Sequence, residues 1–465
     1  MYKLFGHYLP KTIIYLCLIE SLIFLVWVNT GTLFTERDFS ANTHVPAIPD
    51  AAVFTGSMLI SMFAMGLYRR DLREKFQTVL LRLCMSLLLG IALLYLYFTV
   101  NREEPFTHVT QFAAVICAFI CIIFCRLLWS RRKIHQVKRV LVLGAGNKAR
   151  RLERLRRGID RVGIEVLGFV DMDNTRNTKE DDRLVLKLVN GEPFKYAEFI
   201  TRHGIDEIVV ALDEQRDLLP TRDIMEAKLQ GVHIIDINSF LERQLGKIDL
   251  DTFQTSSFIF SDAFSINLLN SVTKRALDII VSSLLLMAAA PVMGLTALAI
   301  WLESGCRGTI IYRQERTGLN NLSFNILKFR SMQENAEGGG TPVWAAANDA
   351  RVTRFGRIIR KTRIDELPQL INVLRGEMSL VGPRPERPQF NHHLTGIIPF
   401  YRLRSCVKPG ITGWAQICYP YGASLDDTRE KLQYDLYYLK NYSLFLDMTI
   451  IVQTIQVILW GKGSR

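Results

Sequence analysis

The sequence predicts a multi-domain membrane protein: a four-helix transmembrane bundle, a Rossmann-like α/β domain, and an α+β catalytic domain with a re-entrant membrane helix. Three observations predict this. Four apolar runs near the N-terminus approach the length of a membrane span, and a strand, a Gly144-Ala145-Gly146 turn and a basic helix come next. A fifth apolar run, interrupted by Pro291, then leads into a basic C-terminal part. With 465 residues there is room for several domains, and 49% hydrophobic residues with a mean hydropathy of +0.14 are too apolar for an ordinary soluble enzyme.

The first part, residues 1–136, holds runs at about 12–28, 51–68, 78–100 and 109–129, each near the ~20 residues that cross a bilayer. Uncharged stretches as long as Leu83 to Val100 are rare in soluble cores, and no small-residue cleavage pattern follows Val28. Lys3 and Lys11, then Arg69, Arg70, Arg73 and Lys75, then Arg131, Arg132 and Lys133 put the N-terminus, the second loop and the exit on the cytoplasmic side. A multi-pass protein with its later domains in the cytoplasm follows.

Residues 137–250 read as the α/β domain. VKRVLVLGAGNKARRLERL gives a strand, a glycine turn and a helix, with Ala149 in the third small-residue position of the dinucleotide fingerprint. VLGFVDMD, IDEIVVAL and GVHIIDI are the further strands, and the first of them carries Asp171 somewhat beyond the ~20 residues expected for a ribose-binding acid. Gly144, Gly146 and Asp171 are therefore the candidates for nucleotide binding, against a purely structural use of the turn. Residues 251–272 are the expected linker.

The fifth run, Ala276 to Leu302, has Lys274 and Arg275 at one end and Arg307, Arg313 and Arg316 soon after the other. Basic flanks on both sides favour a hairpin over residues 273–304 that enters and leaves from the cytoplasm, with Pro291 removing a helix hydrogen bond at the bend. The catalytic domain fills residues 305–465 and ends in an interfacial helix from Leu444 to Trp460.

Within that domain RKTRIDELPQL sets Asp365 and Glu366 among Arg360, Lys361 and Arg363. As local structure, Asp365 would cap a helix that has Pro368 in its first turn and Leu367, Leu370, Ile371 and Leu374 on its buried face. As chemistry, two adjacent carboxylates divide into a nucleophile and a cation ligand while the arginines hold phosphate oxygens. Lys328 and Arg330 share one face of an extended KFRSM. Arg351, Arg354, Arg357 and Arg360 recur every third residue and would form a basic ridge on a helix, and GPRPERP preorganises Arg384 after Pro383. Lys408 lies in a loop where Gly410 and Gly413 permit close backbone approach.

The formal charge of +12 suits an anionic membrane face and phosphate substrates, and no nucleic-acid-binding motif accompanies it. The eight cysteines contain no CxxC and read as reduced packing thiols.

From Ser271 onward the chain resembles the bacterial sugar transferase family, the monotopic phosphoglycosyl transferases. The resemblance runs in order through TKRALDIIVSSLLLMAAAPVM, IIYRQERTGLNNLSFNILKFRSM, NDARVTRFGRIIRKTRIDELPQL, SLVGPRPERP, KPGITGWAQI and YDLYYLKNYSLFLDMTIIVQTI. It implies transfer of a sugar-1-phosphate from a UDP-sugar to undecaprenyl phosphate at the bacterial inner membrane, with release of UMP, as the first step of exopolysaccharide or related glycan synthesis. It also implies that Asp365 is the nucleophile of a covalent aspartyl-phosphosugar intermediate and that Glu366 helps to hold Mg2+. Asp435 matches a family acid. Substrate contacts fall to Lys328, Arg330, Arg351, Arg354, Arg363, Pro383, Arg384 and Lys408, and a homodimer is expected among the membrane lipids. A nucleotide-sugar dehydratase or epimerase on the α/β domain is the alternative, but the chain has no Tyr-x-x-x-Lys pair. A non-catalytic scaffold of a polysaccharide-export system is a second alternative, against which the intact Asp365-Glu366 pair argues.

Overall fold

A computed structural model describes residues 2–4, 7–9, 15–26, 48–65, 67, 76–101, 116–125, 137–144, 146–153, 164–170, 185–186, 196–213, 220–251, 268–306, 308–333, 351–419, 422 and 424–459. Asp171 and most of the expected 251–272 linker lie outside them.

A short antiparallel hairpin that the sequence did not suggest, β1 (Tyr2–Leu4) with β2 (His7–Leu9), opens the chain. Four helices follow, Tyr15–Val26, Ile48–Ala64, Phe76–Asn101 and Ile116–Cys125, one in each of the four apolar runs. They share one core: Phe24 meets Phe54 and Phe119 edge to face, each pair with centroids 5.8 Å apart, and Met58, Met62, Leu83, Leu94 and Ile122 pack beside them. Their outer faces are apolar too, with Leu18, Leu22, Leu88, Tyr95, Ile120 and Phe124 exposed.

The α/β domain is a five-stranded parallel sheet of β3 (Lys138–Leu143), β4 (Ile164–Val170), β5 (Val185–Leu186), β6 (Glu207–Val210) and β7 (His233–Asp236), ordered β5-β4-β3-β6-β7. This is the doubly wound order. Strand β3 is central and its Val140 to Leu143 are fully buried, as a run of apolar β-branched residues and leucines covered on both faces requires. Beyond β7 the helix Ile237–Leu245, capped by Asp236 and closed by Gly246 in the left-handed region, carries the chain to the catalytic domain.

The long helix Leu268–Glu303 contains Pro291. Among the described residues it alone is long and apolar enough to cross a membrane, over Ser271–Glu303, with only 11% of its most apolar window buried. Both of its ends are fastened to the same domain. At the first end Lys274 donates to Asp447 (2.6 Å), Arg275 donates to the carbonyls of Val373 (2.6 Å) and Leu374 (2.8 Å), and Asp278 accepts from Ser379 Oγ and Leu380 N (both 3.0 Å). At the other, Glu303 accepts from Thr353 Oγ1 (2.9 Å) and Phe355 N (3.0 Å), capping the basic helix Arg354–Lys361. A straight helix would separate Arg275 from Glu303 by ~42 Å at ~1.5 Å per residue.

The catalytic domain pairs β8 (Ile311–Thr317) with β9 (Ser323–Phe329) in an antiparallel hairpin, and β10 (Ser379–Val381) with β11 (Gly410–Thr412) in parallel. Its largest core gathers Leu370, Val373, Tyr401, Leu436, Tyr437, Tyr438 and Ile450. The helix Gln369–Arg375 is fixed to β9 by Asn372, whose Oδ1 accepts from Leu327 N (3.0 Å) and whose Nδ2 donates to Asn325 O (2.8 Å). The helix Leu444–Leu459 packs Leu446 and Ile450 into this core.

Candidate active site

The basic helix Arg354–Lys361 starts at the Thr353 cap and runs into Arg363, which adopts a left-handed backbone (φ 61°) at a cost of about 1 kcal/mol for a residue with a Cβ. That turn aims the short 3-10 helix Ile364–Glu366 inward, so Asp365 is buried with 8% of its surface exposed. The capping expectation for Asp365 does not hold. The next helix, Gln369–Arg375, has Pro368 at its N-cap and no side-chain cap, and its buried face is Gln369, Leu370, Asn372 and Val373.

Glu366 is the centre of a cation cluster. Its Oε1 accepts from Lys328 Nζ and Arg384 Nη2, both at 3.0 Å, with Arg363 Nη1 3.7 Å away. Burial alone would push this carboxyl up, but Lys328, Arg384 and Arg363 together hold it far below the usual carboxylate range. Asp365 goes the other way: burial and the neighbouring Glu366 charge push it up to about 6, against the pull of Lys328, Arg360 and Arg363. Its Oδ1 is buried and makes no hydrogen bond. One carboxylate is thus committed to cations, and the other has an oxygen with no partner in the protein.

Arg384 is delivered by a rigid loop. Gly382 and Gly410 touch backbone to backbone, where a Cβ on Gly410 would lie 2.1 Å from Gly382 N, and Gly410 N donates to Pro383 O (2.9 Å). The close approach foreseen for Gly410 and Gly413 is therefore made to the chain itself, since a Cβ on Gly413 would meet Gly382 O at 2.2 Å. Behind the loop, Arg404 Nη2 donates to the Arg384 carbonyl (2.8 Å) and pairs with Asp435 Oδ2 (3.1 Å), while Nη1 donates to Tyr401 Oη (2.6 Å). Asp435 is buried, and that burial, with Glu386 nearby, lifts its carboxyl to about 6 despite Arg404. It supports Arg384 from one layer back.

The remaining sequence candidates separate. Arg330 follows Lys328 at the end of β9 and donates its N–H to Ile310 O (2.9 Å). The ridge of four arginines is broken, because Arg351 precedes the Thr353 cap and lies outside the helix. Arg354 begins that helix exposed, and Arg360, near its end, acts electrostatically on Asp365. Lys408 lies elsewhere, facing Gly376 and Arg275 at the foot of the long helix, where burial and the charges of Arg275 and Lys274 lower its pKa. Sequence inspection missed Asn372, Arg404 and Gln416, whose Oε1 accepts from Arg384 Nη1 (3.3 Å). Their contacts join residues far apart in the chain, and only Gln416 lies inside a quoted motif.

The family model described as bacterial sugar transferase matches residues 269–461, and one described as a CoA-binding domain matches residues 64–218. The UDP-glucose:undecaprenyl-phosphate glucose-1-phosphate transferase of Xanthomonas campestris pv. campestris is 33% identical over 339 residues, 70% of this chain and 68% of that protein. The chain belongs to the bacterial sugar transferase family. Another relative in that family, the UDP-N-acetylgalactosamine-undecaprenyl-phosphate N-acetylgalactosaminephosphotransferase of Aeromonas hydrophila, is 42% identical over 247 residues, 52% of this chain. That match spans 56% of the Aeromonas protein's own length. An uncharacterized sugar transferase of Haemophilus influenzae is 27% identical over 89% of this chain and 97% of its own.

Two implied ligands of this family member can be tested against its residues. A hard divalent cation fits Glu366, a carboxylate kept ionised by Lys328, Arg384 and Arg363 and adjacent in sequence to Asp365 with its unpartnered Oδ1. At Gly144 and Gly146, the candidates for a nucleotide phosphate, the backbone N–H groups that follow are occupied by the chain itself. Asp213 already accepts from the N–H groups of Asn147 (2.6 Å) and Lys148 (2.8 Å), and Lys148 Nζ donates to the Leu212 and Asp213 carbonyls (2.9 and 2.7 Å). Gly144 and Gly146 admit this segment, since Cβ atoms there would meet Ala211 O at 2.6 Å and Asp213 Oδ2 at 2.2 Å.

Proposed function

We propose that this protein transfers a sugar-1-phosphate from a UDP-sugar to undecaprenyl phosphate on the cytoplasmic face of the bacterial inner membrane, starting an exopolysaccharide or related glycan. The observation that carries this is the buried, unpartnered Oδ1 of Asp365 beside a Glu366 held by three cations. Lys328, Arg363 and Arg384 bind the donor diphosphate, orient it, and stabilise charge that develops on the departing phosphate. Asp365 Oδ1 attacks the sugar-bearing phosphorus, the phosphoanhydride bond breaks, and its electron pair leaves with UMP. Glu366 would help to hold a Mg2+ together with the donor diphosphate, and that ion would supply further charge neutralisation, leaving Asp365 Oδ1 for the attack. A phosphate oxygen of undecaprenyl phosphate then attacks the same phosphorus, the acyl-phosphate bond breaks, and Asp365 is released as a carboxylate.

The membrane arrangement follows from the same features. The long helix bends at Pro291 and returns to the cytoplasmic face, a course supported by the attachment of Arg275 and Glu303 to one domain. The four N-terminal helices span the bilayer, as their apolar outer faces suggest. The test is release of UMP from a panel of UDP-sugars by protein in nanodiscs with Mg2+ and undecaprenyl phosphate. Release that requires the lipid phosphate and is lost in Asp365→Asn supports the function, and release that survives Asp365→Asn rules out Asp365 as nucleophile.

A further inference from the structure

Gln416 is half-buried beside Arg384. Its Nε2 is buried and makes no hydrogen bond, a penalty that leucine at the same place would avoid. What the amide contributes is its oxygen, which accepts from Arg384 Nη1 at 3.3 Å, while Nη2 of the same guanidinium reaches Glu366 Oε1 at 3.0 Å. A guanidinium fixed at two nitrogens presents its plane in one orientation.

The short helix that carries Gln416, Trp414–Cys418, is held from the α/β domain. Trp414 Nε1 donates to Gly246 O at 2.8 Å, and Gly246, left-handed at φ 64°, is the C-cap of the helix Ile237–Leu245. A side chain at Gly246 would begin 3.4 Å from the indole ring. Residues two apart on a helix do not face the same way, and here Trp414 turns to the α/β domain while Gln416 turns to Arg384. Further ties make this junction stiff: Glu242 accepts from Lys440 (2.6 Å) and Asn441 (3.1 Å), Ile248 N donates to Gln433 O (3.0 Å), and Arg151 and Arg429 both pair with Asp251.

We propose that Gln416 is a positioning residue for Arg384, and that the α/β domain sets it through the Trp414 to Gly246 hydrogen bond. The proposal rests on the transferase function above. It gives the α/β domain a task that needs no bound nucleotide: it is a brace for the donor site, in keeping with a glycine turn already closed by Asp213. A hydrogen bond of 3.3 Å is near the limit of useful geometry, so a shift of a few tenths of an ångström in the short helix removes the second of these two holds and leaves the guanidinium plane less fixed.

The test uses the full chain in nanodiscs and three variants, with the KM for the UDP-sugar that the wild type turns over, the Kd for UDP by calorimetry, and the melting temperature. Gln416→Leu is expected to raise KM and Kd about tenfold, the loss of one hydrogen bond to a charged group, while melting at or above the wild-type temperature because the orphaned Nε2 is gone. Gln416→Glu keeps an acceptor for Arg384 and is expected to stay within about threefold of wild type. Trp414→Phe keeps an aromatic ring against Tyr437 but loses the bond to Gly246, and is expected to raise KM about threefold. Wild-type KM and Kd in Gln416→Leu would overturn the positioning role and leave the transferase function standing. A Trp414→Phe protein that only melts earlier would overturn the brace. If no UDP-sugar yields UMP even with the wild type, the function fails first, and the UDP Kd still decides whether Gln416 acts on Arg384.

Discussion

Arg384 Nη2 lies 3.0 Å from Glu366 Oε1, joining a proline-bounded loop to the 3-10 turn that carries Asp365. The contact divides two adjacent carboxylates into different states. Glu366 is fixed as an anion by Arg384, Lys328 and Arg363, and its charge in turn makes Asp365 harder to ionise. Asp365 is left as a buried carboxyl with one unpartnered oxygen.

Burying that oxygen weakens the fold, and Asp365→Asn should show it. A carboxyl whose pKa rises on folding, here from 3.8 to about 6, favours folding while protonated and loses that advantage as pH rises through this window. Asp365→Asn is expected to gain about 1–3 kcal/mol at pH 7.5 and little at pH 4, seen as a melting temperature raised by several degrees only at the higher pH. An equal shift at both pH values would show that ionisation is not the cause.

Asn372 is fully buried and bonds to both Leu327 N and Asn325 O, next to Lys328 on the same strand. Asn372→Leu leaves backbone groups of β9 without partners and is expected to cost about 2–4 kcal/mol in chemical denaturation. UDP affinity should fall with it, because the strand that presents Lys328 is loosened.

At Asp435 the variants should be graded. Asp435→Asn retains an oxygen for Arg404, whereas Asp435→Ala leaves that buried guanidinium facing a void where its Oδ2 partner was, 3.1 Å away. Turnover is expected to fall about tenfold in the first and about a hundredfold or more in the second, as Arg404 loses its hold on the Arg384 carbonyl. Equal losses would place Asp435 in the chemistry itself.

Much of this was legible in the chain, for reasons that differ by element. The four N-terminal helices and the strands of the α/β sheet follow from hydropathy, which is local, whereas Asp365, Glu366 and Arg384 stand out from a helix cap and a turn through the family-like blocks around them. The arginine ridge was misjudged because a single Thr353 cap starts the helix after Arg351. Closure of the glycine turn by Asp213 and the clamp by Asn372 were not legible, since each depends on hydrogen bonds between residues distant in sequence.

Topology has a direct check in Cys306, which is exposed just after the long helix. With the other seven cysteines replaced, Cys306 and, in a second protein, a cysteine placed at Ser271 should react with a membrane-impermeant maleimide only after the inner membrane is opened. Labelling of either one in intact spheroplasts would show that the helix crosses.

The most direct measurement is the mass of the Asp365 peptide after rapid acid quench of protein mixed with UDP-sugar and Mg2+ but without undecaprenyl phosphate. The account predicts a peptide heavier by one phosphosugar on Asp365, formed in step with UMP and discharged when the lipid phosphate is added. An unmodified Asp365 peptide during full turnover, or the added mass on Glu366, would contradict it.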